Sequence, residues 1–422
     1  MRHSKLMALF IFATTVTHLS AQTIKDSISM EQNYTQQVFY SLDSGLISRV
    51  EMGNWDLAFA MYNRGAEGSA ILINEANTTI WAHPGDTSNW TGFDTTGFNT
   101  WDRYLNSDTS WTNGALNTKR GAKGVFDMGW GELNPSNNFW TFGHTLYLVK
   151  LSNNSYRKLW IMSLKTGVWE FKYANLDGSN EHIFLIKKSD YTKRNFVYHS
   201  MLNDTTLDRE PDNDTWDLTF MKHIDYINPP GMYVNASSVF NNRSVWTSKA
   251  HEKDYEAASI SVKPQTEFNQ KINNVGREWK RFSSRTGWTV YDSIAYFLYD
   301  NDSSDFFRIV FTGFGGSQNG KAYFDKTLFA KVSVQTANRT FNYSLYPNPA
   351  ADILNVLIDY PTNEQVDFMI TDVQGRVRQV GTLNISAGVN HKILDLTDLP
   401  AGMYILSLGN DDFKSQQKLI KK

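Results

Sequence analysis

The chain has 422 residues, with 41 Lys plus Arg against 43 Asp plus Glu; at roughly 150 residues per domain this admits about two to four domains with sizeable cores, and the near-neutral charge argues against nucleic acid as the main partner. Aromatic residues make up 14% of the chain and Pro only 10 positions, the composition of an aromatic-rich globular protein and not of a disordered one. Cysteine is absent, which removes disulfides, thiolate metal sites, cysteine nucleophiles and a lipid-modified N-terminal cysteine together.

Met1 to Gln22 has the form of a secretory signal. Arg2, His3 and Lys5 give a charged start, Leu6 to Val16 an apolar run, and Leu19-Ser20-Ala21 a small-residue cleavage point. The run is too short to span a bilayer, and no other stretch approaches ~20 apolar residues. The mature chain is expected to begin near Gln22 or Thr23, outside the cytoplasm and without a transmembrane segment.

Residues 23–343 read as one unit written twice, 23–190 and 191–343. Val38-Phe39-Tyr40-Ser41-Leu42 followed by Trp55-Asp56-Leu57-Ala58-Phe59 returns as Val197-Tyr198-His199-Ser200-Met201 followed by Trp216-Asp217-Leu218-Thr219-Phe220. Trp101-Asp102-Arg103-Tyr104 and Trp111 return as Trp279-Lys280-Arg281-Phe282 and Trp288. The stretch from Leu146 to Ile161 matches that from Tyr296 to Phe311 at a single offset of 150. Gly167-Val168-Trp169-Glu170-Phe171 and Gly320-Lys321-Ala322-Tyr323-Phe324 close the units. The runs are short, aromatic and β-branched, punctuated by Asn, Ser, Asp and Gly, which predicts strands joined by tight turns. Helical periodicity is brief, at Asn99–Leu105 and Asn274–Phe282. Strand alternation puts Trp55, Leu57 and Phe59 on one core-facing side, and likewise Trp216, Leu218 and Phe220. Asp56 and Asp217 then serve as turn or edge hydrogen-bonders. The fold class is all-β: two repeated domains and a small C-terminal β-sandwich.

That last segment, 344–422, opens with Tyr346-Pro347-Asn348-Pro349. It continues through alternating strands at Ile353–Ile358 and Val366–Ile370, an Asp372-Val373-Gln374-Gly375-Arg376 turn and Leu399-Pro400-Ala401-Gly402-Met403-Tyr404, and ends on Lys421-Lys422. It closely resembles the C-terminal sorting domain of type IX secretion substrates in the Bacteroidetes. The resemblance implies engagement of the type IX secretion machinery, export across the outer membrane, removal of the domain, and release or surface attachment. The alternative is a generic β-sandwich adhesion module.

The doubled middle, above all its two Trp-Asp-Leu-x-Phe strands and the Leu-Tyr-Leu-Val…Tyr-x-Lys-Leu-Trp-Ile hairpin, resembles the HmuY family of haem-binding proteins. Members of that family are typically lipoproteins, whereas this chain has no cysteine. The glycine-rich stretch expected after the Trp-Asp motif is reduced to Asn63-Arg64-Gly65 and Pro230-Gly231. The resemblance implies haem as a cofactor. Haem requires axial His or Met in an apolar aromatic pocket. His83 and His251 fall at comparable points of the two units, each just past a Trp; His144 and His223 follow as candidates, and Met61 and Met221 stay open. Each of these has an ordinary structural alternative, a loop or core side chain. Asp212 and Asp214, and Asp300, Asp302 and Asp305, alternate oxygen ligands in loops as calcium sites do, without the complete twelve-residue pattern; solvated turns are the alternative. No nucleophile elbow, zinc helix or phosphate loop is present, so no enzymatic activity is expected. Two readings follow. One is haem or other small-ligand capture for iron acquisition by a secreted or surface protein. The other is a surface adhesion module for glycan or protein, for which Trp90, Trp101, Trp111, Trp130 and Trp140 supply aromatic surface.

Overall fold

The aromatic and β-branched runs form antiparallel strands almost throughout the computed structural model, which describes residues 22–62, 67–227, 232–251, 266–300, 306–329, 343–360, 363–374, 376–386, 388–409 and 414–422. Helical segments among the described residues are only 3₁₀ turns of three or four residues. The two helical expectations are therefore corrected: Phe98–Thr100 is a single 3₁₀ turn, and the stretch after Asn274 is a chain of turns. Stretches this short cannot offset the cost of helix nucleation. In the second, Gly276 takes φ 55° and exchanges both backbone hydrogen bonds with Val239.

The strands run, from the N-terminus, β1 (Gln22–Ser29), β2 (Gln36–Ser41) and β3 (Gly45–Glu51). A second group follows: β4 (Leu57–Ala60), β5 (Ile71–Ile73), β6 (Thr79–Ala82), β7 (Arg103–Tyr104), β8 (Gly131–Asn134), β9 (Trp140–Gly143), β10 (Leu146–Lys150), β11 (Tyr156–Lys165), β12 (Val168–Ala174), β13 (His182–Lys187), β14 (Phe196–Ser200) and β15 (Thr205–Leu207). The third group is β16 (Leu218–Ile227), β17 (Met232–Asn241), β18 (Val245–His251), β19 (Lys280–Ser283), β20 (Gly287–Val290), β21 (Ile294–Asp300), β22 (Phe306–Phe314) and β23 (Lys321–Phe329).

β4 to β15 close on themselves as one sandwich. Its outer sheet runs β13-β12-β11-β10-β6-β7, with β9 added on β11 and β8 on β9; its inner sheet runs β15-β14-β4-β5. The second sandwich draws on both ends of this region. Its outer sheet is β1-β23-β22-β21-β18 and its inner sheet β17-β16-β2-β3, so the N-terminal strands complete a domain whose other strands lie beyond Leu218. The repeat boundary expected between residues 190 and 191 thus falls between β13 and β14, inside the first sandwich. The repetition is real and its phase is shifted: β13-β12-β11-β10-β6 corresponds to β1-β23-β22-β21-β18. Both long hairpins carry an irregularity at the same place, Ile161/Ser163 and Phe311/Gly313. The ungapped offset of 150 is corrected in one strand. Tyr147 pairs with Leu159 and Tyr296 with Ile309, all four in their cores, so Tyr147, and not Leu146, is the counterpart of Tyr296. A slip of one residue reverses the face a side chain occupies.

Between the sheets of the first sandwich lie Leu57, Phe59, Ile71, Tyr147, Leu159, Trp169 and Phe171; the second buries Val38, Tyr40, Leu218, Phe220, Tyr296, Phe311 and Phe324. Trp55 and Trp216 do not share the face of Leu57 and Leu218. Each precedes its strand, where the two-residue alternation does not reach. Trp55 stands edge-on to Tyr198 at 4.9 Å between ring centres, and Trp216 to Phe39 at 5.0 Å. The aspartates behave as the turn-binders expected: Asp56 Oδ2 accepts the Met201 N–H at 2.8 Å and Asp217 Oδ2 that of Leu42 at 2.6 Å.

The C-terminal unit, Lys331–Lys422, holds β24 (Tyr343–Tyr346), β25 (Ile353–Tyr360), β26 (Glu364–Asp372), β27 (Val377–Ile385), β28 (Gly388–Asp395), β29 (Gly402–Gly409) and β30 (Lys414–Lys421). Sheets β24-β25-β28 and β27-β26-β29-β30 enclose Leu354, Val356, Ile370, Leu406 and Leu419. Asn348 of the Tyr-Pro-Asn-Pro motif fastens the last strand, donating to Lys418 O at 2.7 Å and accepting from Ile420 N at 2.9 Å. Asp372 closes its turn by accepting from the backbone of Gln374 and Arg376.

Candidate functional site

Alternation along the outer sheet of the first sandwich sends one set of side chains into the core and the other set outward. On β11, Leu159 and Ile161 go inward while Lys158 and Trp160 go out; on β12, Phe171 and Tyr173 go in while Glu170 and Lys172 go out. Strand register aligns these in rows: Trp81, Leu148, Lys158 and Ala174; then Leu146, Trp160, Lys172 and Ile183; then Phe142, Ser163, Glu170 and Leu185.

The segment after β6 folds back over the first two rows and adds Trp90, Phe93, Phe98 and Trp101. Trp81 meets Phe98 at 5.4 Å and Phe98 meets Tyr156 at 5.8 Å, both edge-on. The ammonium of Lys172 lies 4.4 Å above the Trp90 ring and 5.5 Å from that of Trp160, and Lys158 donates to Trp90 O at 2.7 Å. Trp90 Nε1 donates to Glu181 Oε2 at 2.7 Å; with Lys172, this bond holds the Glu181 carboxyl below its usual range. The third row is open. Leu185 in this row and Ile183 at the β13 end of the second are 63% and 59% exposed, Trp140 and Phe142 stand on β9 beyond β11 and β12, and Lys165 stands 5.5 Å from the Phe142 ring. Gly143 makes this possible, because a Cβ there would lie 1.7 Å from Ile161 O and push β9 away. Aromatic faces of this kind stack on the apolar faces of rings, while interleaved ammonium and carboxylate groups take up hydroxyls.

The second sandwich has the same scaffold and a different face. By register, Trp81 is replaced by Ser248, His83 by Ala250, Trp160 by Val310, Lys172 by Asp325, Ile183 by Lys25 and Leu185 by Ser27. Lys25 and Asp325 form an ion pair at 3.3 Å. The core counterparts remain aromatic, Tyr147 with Tyr296 and Phe171 with Phe324.

The candidate axial ligands do not converge. His83 lies buried on the aromatic face, 4.7 Å from Phe93 and 5.0 Å from Trp101, and its Nδ1 accepts the Gly85 N–H at 2.9 Å. His251 ends β18 in an exposed position opposite Ile294, one residue past the counterpart of His83, and the two Trp that suggested their equivalence, Trp81 and Trp246, are not counterparts either. His144 Nε2 is 3.2 Å from Asp127 and its Nδ1 2.8 Å from Thr145. His223 is buried on β16, 5.2 Å from the ring of Phe240. Met61 belongs to the first core, and Met221 lies between the inner sheets. The cavity between those sheets, lined by Phe39, Trp55, Trp111, Glu210, Trp216 and Met221, measures about 20 Å³, room for a single water and not for a macrocycle. Among the described residues, no three His, Asp or Glu side chains are grouped to hold a metal. Asp212 is bound by Lys193 at 3.1 Å and by Arg194, which leaves it committed to cations of the protein itself. Asp214 is exposed, Asp300 ends β21, and Asp302 and Asp305 lie outside the described residues. The same is true of residues 1–21 of the expected export signal and of the Asn63-Arg64-Gly65 and Pro230-Gly231 stretches.

Several charged groups escaped the sequence reading because their environment exists only in the fold. Glu75 accepts from Asn106 N at 2.6 Å and from Ile224 N at 3.1 Å, and burial pushes its carboxyl up to about 7. Glu210 accepts from Phe196 N at 3.0 Å and Asn195 N at 3.2 Å, and burial likewise pushes it up to about 7. Lys280 donates to Ser237 O at 2.7 Å and lies 4.0 Å over the Trp279 ring, and burial pushes it down to about 7. Lys158 and Trp160 did leave a signal, alternating with Leu159 and Ile161 along one strand.

Comparison with known proteins separates the two parts of the chain. No curated protein matches it. Among solved structures it is similar to dimeric latent PorU from Porphyromonas gingivalis, with 10% identity, TM-score 0.18, and coverage of 63% of this chain and 31% of that one. It is also similar to elastase-activated α2-macroglobulin from Escherichia coli, with 9% identity, TM-score 0.15, and coverage of 95% and 34%. The chain thus spans about a third of the length of the solved structures it matches. Residues 344–422 match the model of the secretion system C-terminal sorting domain: the chain carries a type IX sorting tail, which marks it for secretion to the cell surface or the medium.

Proposed function

We propose that residues 22–330 form a non-enzymatic binding protein, exported by the type IX route, that takes a saccharide on the aromatic outer face of the first sandwich. The observation that supports this reading is the contrast between two copies of one scaffold. Both keep their aromatic cores, while the first packs Trp81 and Trp160 against Trp90 and Phe93 on its outer sheet and alone adds β9, which sets Trp140 and Phe142 outward beside Lys165 and Glu170. Binding of the purified chain to a glycan array, followed by titration of the best ligands, tests it. Trp160→Ala and Phe142→Ala are expected to weaken binding by about tenfold each, since removing a large apolar side chain that a ligand buries costs on the order of 1.5–3 kcal/mol. Undiminished binding in both variants would remove the face from consideration.

A second reading, haem capture, has the placement of His83 between Phe93 and Trp101 in its favour. It predicts a saturable Soret shift on haemin titration that is lost in His83→Ala. Absence of a shift at micromolar haemin eliminates it.

A further inference from the structure

At one end of the aromatic face lies a cleft of about 220 Å³ whose polar lining is Glu75, Asn77, Thr79, Lys150, Ser152 and Asn154. It belongs to the same surface: Thr79, Lys150 and Tyr156 are register partners across β6, β10 and β11 and form the next outward row, and Tyr156 is the ring that meets Phe98. Both oxygens of Glu75 are committed to backbone N–H groups of Asn106 and Ile224. The ammonium of Lys150 forms no ion pair among the described residues. The Asn77, Thr79, Ser152 and Asn154 side chains likewise form no hydrogen bond within them. The groups left to a ligand are therefore one cation, two amides and two hydroxyls, beside a Glu75 carboxyl that burial and two backbone N–H groups keep occupied. In the second sandwich the counterparts of Thr79 and Lys150 are Trp246 and Tyr299. Those rings stack on each other at 6.3 Å with planes 3° apart, which puts aromatic rings where the first sandwich carries the hydroxyl and the ammonium.

We infer that this cleft is a subsite for the anionic group of an acidic saccharide, with Lys150 pairing the carboxylate or sulfate and the amides and hydroxyls of Asn77, Asn154, Thr79 and Ser152 holding the sugar that carries it. The inference rests on the saccharide reading of the aromatic face and adds the charge class of the ligand. Lys150 stands beside Tyr156, so one chain of sugars lies across the rings and ends at the ammonium.

The test is calorimetric titration of the full chain with three tetrasaccharides: tetragalacturonate, a κ-carrageenan tetrasaccharide and neoagarotetraose, which supply a carboxylate, a sulfate and no charge. One charge-assisted contact predicts about tenfold tighter binding of at least one acidic probe over the neutral one, and the better acidic probe identifies the anion. Lys150→Gln, at a partly exposed position, should reduce that probe to the neutral level and leave neoagarotetraose and the melting temperature unchanged. Equal affinity for all three probes overturns the anionic subsite while the aromatic face stands. An acidic preference that survives Lys150→Gln overturns the assignment of the subsite to this cleft. Failure of all three to bind, with no other glycan bound on the array, overturns the saccharide reading together with it.

Discussion

Deleting residues 22–51 should unfold the second sandwich and spare the core of the first. The segment supplies β1 to the outer sheet and β2 and β3 to the inner sheet of that sandwich. It buries Ile28, Met30, Val38, Tyr40 and Leu42 in the core, each no more than 2% exposed. At about 1.5–3 kcal/mol for each large apolar side chain fully buried, the loss sums to roughly 8–15 kcal/mol, which is as large as the whole stability of a typical domain at about 5–15 kcal/mol. Tyr40 adds a hydrogen bond, donating to Asp26 Oδ2 at 2.6 Å, which disappears with its partner. Hydrogen exchange read peptide by peptide measures the outcome. Amides of β21, β22 and β23 should lose protection, while those of β10, β11 and β12 keep it. A boundary between residues 190 and 191 demands the reverse, because the deleted strands would then belong to the earlier domain. Loss of protection confined to residues 146–174 would refute the shifted phase.

Asp217→Ala leaves the buried Leu42 N–H without its acceptor and should cost about 1–3 kcal/mol in denaturant unfolding; Asp56→Ala should do the same through Met201. Gly143→Ala forces a methyl group against Ile161 O, so a penalty of about 1–3 kcal/mol should accompany weaker saccharide binding as β9 carries Trp140 and Phe142 away. Lys280 has a folded pKa near 7 against the usual 10.5, so the unfolded chain holds the extra proton between those values. Its effect is to lower stability as pH falls from about 10.5 to about 7 and to level off below. Lys280→Met should flatten that part of the melting-temperature profile and raise stability at neutral pH; an unchanged slope would contradict the burial argument.

The sequence made the strands legible because their inward residues are large and their turns chemically plain. Leu57 and Phe59, or Leu159 and Ile161, alternate with outward partners in the way a half-buried strand demands. The tail was equally readable, since Asn348 and Asp372 perform local tasks, fastening one strand and closing one turn. What alternation cannot carry is phase. A tandem repeat looks the same wherever it is cut, and only pairing β1 with β23 and β2 with β16 decides which strands share a core. The same weakness misplaced Leu146 by one residue, while the equivalence of His83 and His251 leaned on Trp81 and Trp246, which sit in different rows of their sheets. Trp55 was misjudged because the strand begins two residues later. Glu75 and Glu210 were invisible in principle, for their acceptor roles depend on backbone N–H groups brought in by tertiary folding.

The stacking of the sandwiches also decides where a ligand can go. Each inner sheet uses one face for its own core and turns the other toward its counterpart. There Trp111 Nε1 donates to Asn241 O at 2.7 Å, Asn195 Nδ2 to Asn242 Oδ1 at 2.9 Å, and Arg209 to Gln37 Oε1 at 2.7 Å. These bonds cross from one sandwich to the other and leave a void of about 20 Å³. A ligand entering there would have to break them and bare Glu210, whose carboxyl is already held by backbone N–H groups. The inner faces are consequently occupied by duplication itself, and a substitution on them disturbs two domains at once. Outer faces are free of that constraint: exchanging Trp160 for Val310 or Lys172 for Asp325 leaves the core residues on either side, Ile161 and Phe171 or Phe311 and Phe324, in place. The two outer sheets have diverged accordingly: the first carries Trp81, Trp160 and Lys172 where the second carries Ser248, Val310 and Asp325.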